Sequence, residues 1–133
     1  MRPIERLMEK IPADADAALV ASGHNRRYLT GFPSSAGLVL ATRETALFLT
    51  DFRYIEAARR TVRGMECVEY ASLSATLSEL AKRLGLRCVL TEDEGLTVAE
   101  YRRFSGMLPG VELRGGVLDG LLGELRLVKS PEE

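Results

Sequence analysis

Gly37-Leu38-Val39-Leu40-Ala41 and Ala46-Leu47-Phe48-Leu49-Thr50 are two short apolar runs separated by Thr42-Arg43-Glu44-Thr45, a spacer of hairpin length. Both read as strands, and the pair as a β-hairpin. Asp51 follows at once and is placed to cap a helix from Phe52 to about Arg63, with Ile55, Ala58 and Val62 on one face. From there the pattern alternates. Cys67 to Tyr70 reads as a strand. Leu73, Leu77, Leu80, Ala81 and Leu84 form the clearest helical stripe in the chain, and Gly85 ends it as a C-cap glycine does. Arg87 to Thr91 is a short buried strand. Thr97 and Glu100 form a capping box for a helix to about Leu108, closed by Pro109-Gly110. Val111 to Leu113 reads as an edge strand, and Leu118, Leu121, Leu122 and Leu125 as a last helix. Strand–helix alternation predicts helices packed on a largely parallel sheet, and the hairpin adds an antiparallel part. The expected fold is α/β: a mixed β-sheet of about five to six strands flanked by helices.

Upstream of the hairpin, Ile4, Leu7, Met8 and Ile11 predict an amphipathic helix over residues 3–11, stopped by Pro12 and Asp14. Ala17 to Ala21 reads as a buried strand. Ser22 to Thr30 reads as a loop with one helical turn, and Gly31-Phe32-Pro33-Ser34-Ser35 carries turn chemistry. The 133 residues are 46% hydrophobic and 28% charged, which suits one globular domain. A formal net charge of −1 gives no electrostatic reason to expect nucleic acid or an anionic membrane as partner. No apolar run approaches membrane-span length, and the first ten residues lack the apolar centre of a signal peptide. The expected address is cytoplasmic. Cys67 and Cys88 lie in separate apolar segments and read as two buried free thiols.

The last four residues, Ser130-Pro131-Glu132-Glu133, spell a helix start. Ser130 suits the N-cap, Pro131 the first helical position, and the glutamates the positive end of the helix dipole. We therefore expect residues 1–128 to form the domain and 129–133 to begin a linker helix into a further one.

Chemistry-bearing clusters are scarce. A catalytic metal site needs several convergent His, Cys, Asp or Glu ligands, and the chain has one histidine, His24, read as a solvated loop residue. Glu92-Asp93-Glu94 is the best carboxylate cluster and reads as a solvated loop before the Thr97 helix. Ser34 and Ser35 sit in a turn without a nucleophile elbow around them. Both cysteines have apolar neighbours, which raise a thiol pKa. The pairs Arg26-Arg27, Arg59-Arg60 and Arg102-Arg103 read as solvent-facing charge. The residues argue against an autonomous enzyme.

Three stretches carry more. His24-Asn25-Arg26-Arg27-Tyr28-Leu29-Thr30-Gly31-Phe32 resembles the N-x-R-Y-L-T-G-F signature of the creatinase/prolidase N-terminal domain. Leu49-Thr50-Asp51-Phe52-Arg53-Tyr54-Ile55-Glu56-Ala57-Ala58 resembles that family's T-D-x-R-Y-x-E-Q-A segment, with Ala57 where glutamine is common. Leu125-Arg126-Leu127-Val128-Lys129-Ser130-Pro131-Glu132-Glu133 is similar to the L-R-x-x-K-S-P-E-E junction that opens the family's catalytic domain. Arg26 stands where the family usually has an apolar residue, which suggests a more exposed turn or a polar interface.

The resemblance implies a ribonuclease-H-like mixed sheet and a non-catalytic N-terminal domain of an Xaa-Pro metallopeptidase, a dipeptidase or aminopeptidase. It implies no cofactor within these residues. Two divalent ions, manganese, cobalt or zinc, would lie in the missing catalytic domain and activate a water against a proline-containing peptide. The implied partners are that catalytic domain and further copies of the chain in a homodimer or larger homo-oligomer. Phe32, Pro33, Ser34 and Ser35 match by position a loop that gates the neighbouring subunit's active site. Arg53 and Tyr54 match an R-Y pair whose arginine can face a substrate carboxylate. Both also suit a local role, packing the helix start on the sheet. Asn25 is expected to cap the short turn, and Tyr28 with Leu29 to anchor it. Two other readings stand beside this one: a binding module that kept the peptidase fold and lost catalysis, and the N-terminal domain of a creatinase-like amidinohydrolase.

Overall fold

A computed structural model describes residues 1–127; the predicted linker start at 129–133 lies outside the described residues. The chain folds as α1 (Pro3–Lys10), β1 (Ala17–Val20), α2 (Gly23–Thr30), β2 (Leu38–Thr42), β3 (Ala46–Thr50), α3 (Ile55–Thr61), β4 (Glu66–Glu69), α4 (Leu73–Leu84), β5 (Cys88–Thr91), α5 (Val98–Met107), β6 (Glu112–Arg114) and α6 (Leu118–Leu127). The strands form one six-stranded sheet in the order β4-β3-β2-β1-β5-β6. Pairs β1–β2 and β2–β3 are antiparallel, while β3–β4, β1–β5 and β5–β6 are parallel. The mixed sheet is as expected, and β2 alone runs against the other strands.

Because successive strand residues face opposite ways, each central strand supplies two cores. Ala18, Val20, Val39, Ala41, Phe48 and Leu90 point to the face covered by α1, α2, α3 and α6, where they meet Ile4, Leu7, Leu29, Ala58, Leu118 and Leu122. Ala17, Leu19, Leu40, Leu47, Leu49 and Val89 point to the other face, onto Leu77, Leu80 and Ala81 of α4 and Phe104 of α5. The result is a three-layer α/β/α stack. It explains why β1, β2, β3 and β5 read as continuous apolar runs: they are buried on both sides.

Local signals hold at several ends. Gly85 adopts the left-handed region with φ 67° and donates its amide to the last turn of α4. Thr97 and Glu100 make the reciprocal bonds of the capping box. Two readings need correction. Ser22 to Thr30 is not a loop with one turn, because residues 23–30 form a full short helix docked by buried Leu29 and closed by Gly31. The helix after Asp51 begins only at Ile55. The Asp51 carboxylate accepts from the Arg53 amide at 3.0 Å and its carbonyl from the amides of Tyr54 and Ile55, so residues 52–54 form a turn first.

Among the described residues no helix is long and apolar enough to cross a membrane. Cys67 and Cys88 are free thiols; Cys88 is buried and Cys67 only half-buried, and burial pushes both pKa values up.

Candidate functional site

Since β2 runs against its neighbours, its start lies on the same sheet edge as the carboxyl ends of β1, β3, β4, β5 and β6. This edge gathers the segment 32–37, the turn 51–54 and the loop after Thr91. In open α/β sheets it is the edge where ligand sites form.

The structure brings Phe32, Ser35 and Arg53 together around Tyr54, with Pro33 and Ser34 in the segment between. Phe32 is 8% exposed and packs edge-on against Phe48 and Tyr54, with ring centroids 6.1 and 6.2 Å away. The Ser35 hydroxyl lies 2.7 Å from the Tyr54 hydroxyl, and this bond lowers the Tyr54 pKa. The Arg53 guanidinium sits 5.2 Å from the centre of the Tyr54 ring. Its fork grips the Asp51 carboxylate, with Nη2 to Oδ2 at 2.7 Å, and so holds the Asp51 pKa below its ordinary value. Pro33 and Ser35 are exposed and Ser34 is half-buried. Phe52, 78% exposed, projects from the adjoining turn. Pro33, Ser34 and Ser35 also wall a cleft of about 540 Å³ with Gly23, His24 and Arg27 of α2.

Two charged residues behave differently from their sequence reading. Glu92 is 1% exposed, not solvated. Its carboxylate accepts from the amides of Ala21 at 2.7 Å and Ser22 at 2.9 Å, from the Ser22 hydroxyl, and from Asn25 Nδ2 at 2.7 Å. Asp93 and Glu94 stay exposed, and their amides donate to Asp119 Oδ2. Arg26 is 7% exposed, neither solvent-facing nor in an exposed turn. It donates to the carbonyls of Ala21, Ser34 and Gly37. Burial lowers its pKa, and the charge of Glu92 opposes that shift. Asn25 is no cap either. Ser22 takes the N-cap position, while Asn25 lies in the helix, bonds Glu92 and accepts from Arg126 Nη2 of α6.

A carboxylate directly after a doubly buried strand was the local sign of Glu92. Nothing local pointed to its partners, which lie 67 to 71 residues away. Among the described residues no group of three or more His, Cys, Asp or Glu side chains could hold a metal ion. The described residues therefore supply no donor set of the kind a divalent-metal centre needs.

Residues 4–128 match the family described as the creatinase/prolidase N-terminal domain. The chain belongs to this family. It is 36% identical over 119 residues to an uncharacterized peptidase, YqhT, of Bacillus subtilis, covering 89% of this chain and 33% of that protein. An Xaa-Pro dipeptidase from Bacillus anthracis superposes with a TM-score of 0.87 at 34% identity, over 98% of this chain and 37% of that one. The N-terminal domain of the cytoplasmic peptidase PepQ from Mycobacterium tuberculosis, solved by itself, superposes with a TM-score of 0.79 at 27% identity, over 93% of this chain and 98% of that one. The chain thus spans about a third of the length of the Bacillus subtilis and Bacillus anthracis proteins.

Proposed function

We propose that this chain is the non-catalytic N-terminal domain of an Xaa-Pro metallopeptidase. It contributes to homo-oligomerisation and gates the neighbouring subunit's active site through residues 32–36. The observation that carries the reading is the convergence of Phe32–Ser35 with Arg53 and Tyr54 on the sheet's carboxyl edge, where two separate stretches of sequence build one polar and aromatic cluster. Membership of a peptidase domain family supports it. The full-length parent hydrolyses the bond before proline, using two divalent ions held outside this domain. Its address is cytoplasmic, like that of the PepQ relative.

The gate works by shape and polarity. Phe32 roots the segment in the core, so Pro33 and Ser35 stand exposed as a short rim on either side of half-buried Ser34. Such a rim limits how far a peptide extends past the scissile bond. Arg53 offers a delocalised cation at the rim, and Asp51 fixes its direction.

The test uses the full-length parent. Replacing Pro33-Ser34-Ser35 by three glycines is expected to change the ratio of kcat/KM for an Xaa-Pro dipeptide to that for a longer Xaa-Pro peptide by about tenfold or more, about 1.4 kcal/mol of discrimination. An unchanged ratio refutes the gate. Manganese-dependent hydrolysis of Ala-Pro by residues 1–133 alone refutes the non-catalytic assignment.

A further inference from the structure

We infer that Arg26 is the positioning residue of the 32–36 segment: its buried guanidinium, tied through Ala21 to the buried carboxylate of Glu92, fixes the backbone that presents Ser34 and Ser35 beside Tyr54. The inference rests on the gating role proposed for that segment and names what holds the gate in shape.

Arg26 lies on α2 and spends its hydrogen bonds on main chain. Nη1 donates to the Ala21 carbonyl at 2.8 Å and the Gly37 carbonyl at 3.3 Å, and Nη2 donates to the Ser34 carbonyl at 2.6 Å. One planar fork therefore spans the segment from its middle to its far end and ties both to the end of β1. Other anchors hold the ends. Thr30 Oγ1 accepts from the Phe32 amide at 3.0 Å, and Thr50 Oγ1 donates to the Ala36 carbonyl at 3.0 Å. Between these anchors, the Ser34 carbonyl is held by Arg26.

A guanidinium this buried needs a counter-charge. Glu92 lies beyond Ala21, and its charge opposes the effect of burial on Arg26. Ala21 links the two, giving its amide to Glu92 and its carbonyl to Arg26. The peptide groups between the charges are thus oriented by both. A lysine at position 26 keeps the charge but loses the fork, so it cannot hold the Ser34 and Gly37 carbonyls together.

The test compares the wild-type 133-residue chain with R26K and with the double variant R26M/E92Q, using ¹⁵N relaxation. The double variant removes both buried charges together, so neither is left alone. In both variants the order parameters of residues 34–37 are expected to fall from about 0.85 to below about 0.6, while those of β1 and β5 stay near 0.85. The Tyr54 ring is expected to lose its contacts to Ser35 in nuclear Overhauser spectra. Retained rigidity of 34–37 in R26M/E92Q overturns the inference. A fall shared equally by the core strands overturns it too, because Arg26 would then be a general stabiliser. The readout is internal to the domain. A failed gate, seen as an unchanged peptide-length preference in the parent, is therefore a separate result.

Discussion

Glu92→Ala tests the buried polar hub directly. The substitution removes the acceptor of the Ala21 and Ser22 amides, the Ser22 hydroxyl and Asn25 Nδ2, and takes away a negative charge that acts on Arg26. A buried donor left without a partner costs about 1–3 kcal/mol. Such costs overlap, because water entering the vacated space re-satisfies part of the loss. We therefore expect a loss of about 4 kcal/mol at neutral pH. That is a large share of the 5–15 kcal/mol typical of a domain. With a urea slope of about 2 kcal/mol per molar, the unfolding midpoint moves down by about 2 M. Equilibrium urea denaturation followed by far-ultraviolet circular dichroism measures it. Glu92→Gln, which keeps one oxygen for the two backbone amides, is expected to fall between wild type and Glu92→Ala. Glu94→Ala, at an exposed position of the same loop, is expected to stay within about 0.5 kcal/mol of wild type. If Glu92→Ala unfolds within about 1 kcal/mol of wild type, Glu92 is an ordinary surface carboxylate and the reasoning fails.

Asp16 Oδ2 accepts from the amides of Arg87 at 2.8 Å and Cys88 at 2.9 Å, and these bonds lower its pKa. Asp16→Asn is expected to cost about 1–2 kcal/mol at pH 7. Because the folded-state pKa is depressed, the wild-type advantage is full above the unfolded value near 3.9 and is lost as the pH falls through the folded one. Denaturation at pH 7 and pH 3 measures this, and a gap that does not shrink in acid refutes it. Ser35→Ala removes the main cause of the lowered Tyr54 pKa, so the phenol is expected to titrate at higher pH. The Tyr54 ring resonances followed against pH report the shift, and an unmoved midpoint would mean that Ser35 does not engage it.

Periodicity and end signals carried the elements. The stripe from Leu73 to Leu84, its terminal Gly85 and the Thr97–Glu100 box each act within a few residues, and all three stand in the structure. The hairpin was equally legible, since Thr42 to Thr45 leaves room only for an antiparallel return. The helix after Asp51 was read one turn early because Asp51 does make capping bonds, but to a turn rather than to a helix. Six gate or interface candidates were found by resemblance. Their mutual contact became visible only in the fold, where β2 runs against β3 and returns the 32–37 segment to the end of β3.

Whether a charge is solvated is not written in its neighbours along the chain. Glu92-Asp93-Glu94 and Arg26-Arg27 look alike residue by residue, yet Glu92 and Arg26 are buried while Asp93, Glu94 and Arg27 are exposed. Pattern and capping rules report interactions over three or four positions, and these sufficed for strands, helices and their order. The state of a charge depends on every donor, acceptor and opposite charge that packing brings within reach. For Glu92 those come from the end of a strand and a helix about seventy residues earlier, which meet it through the parallel pairing of β1 with β5.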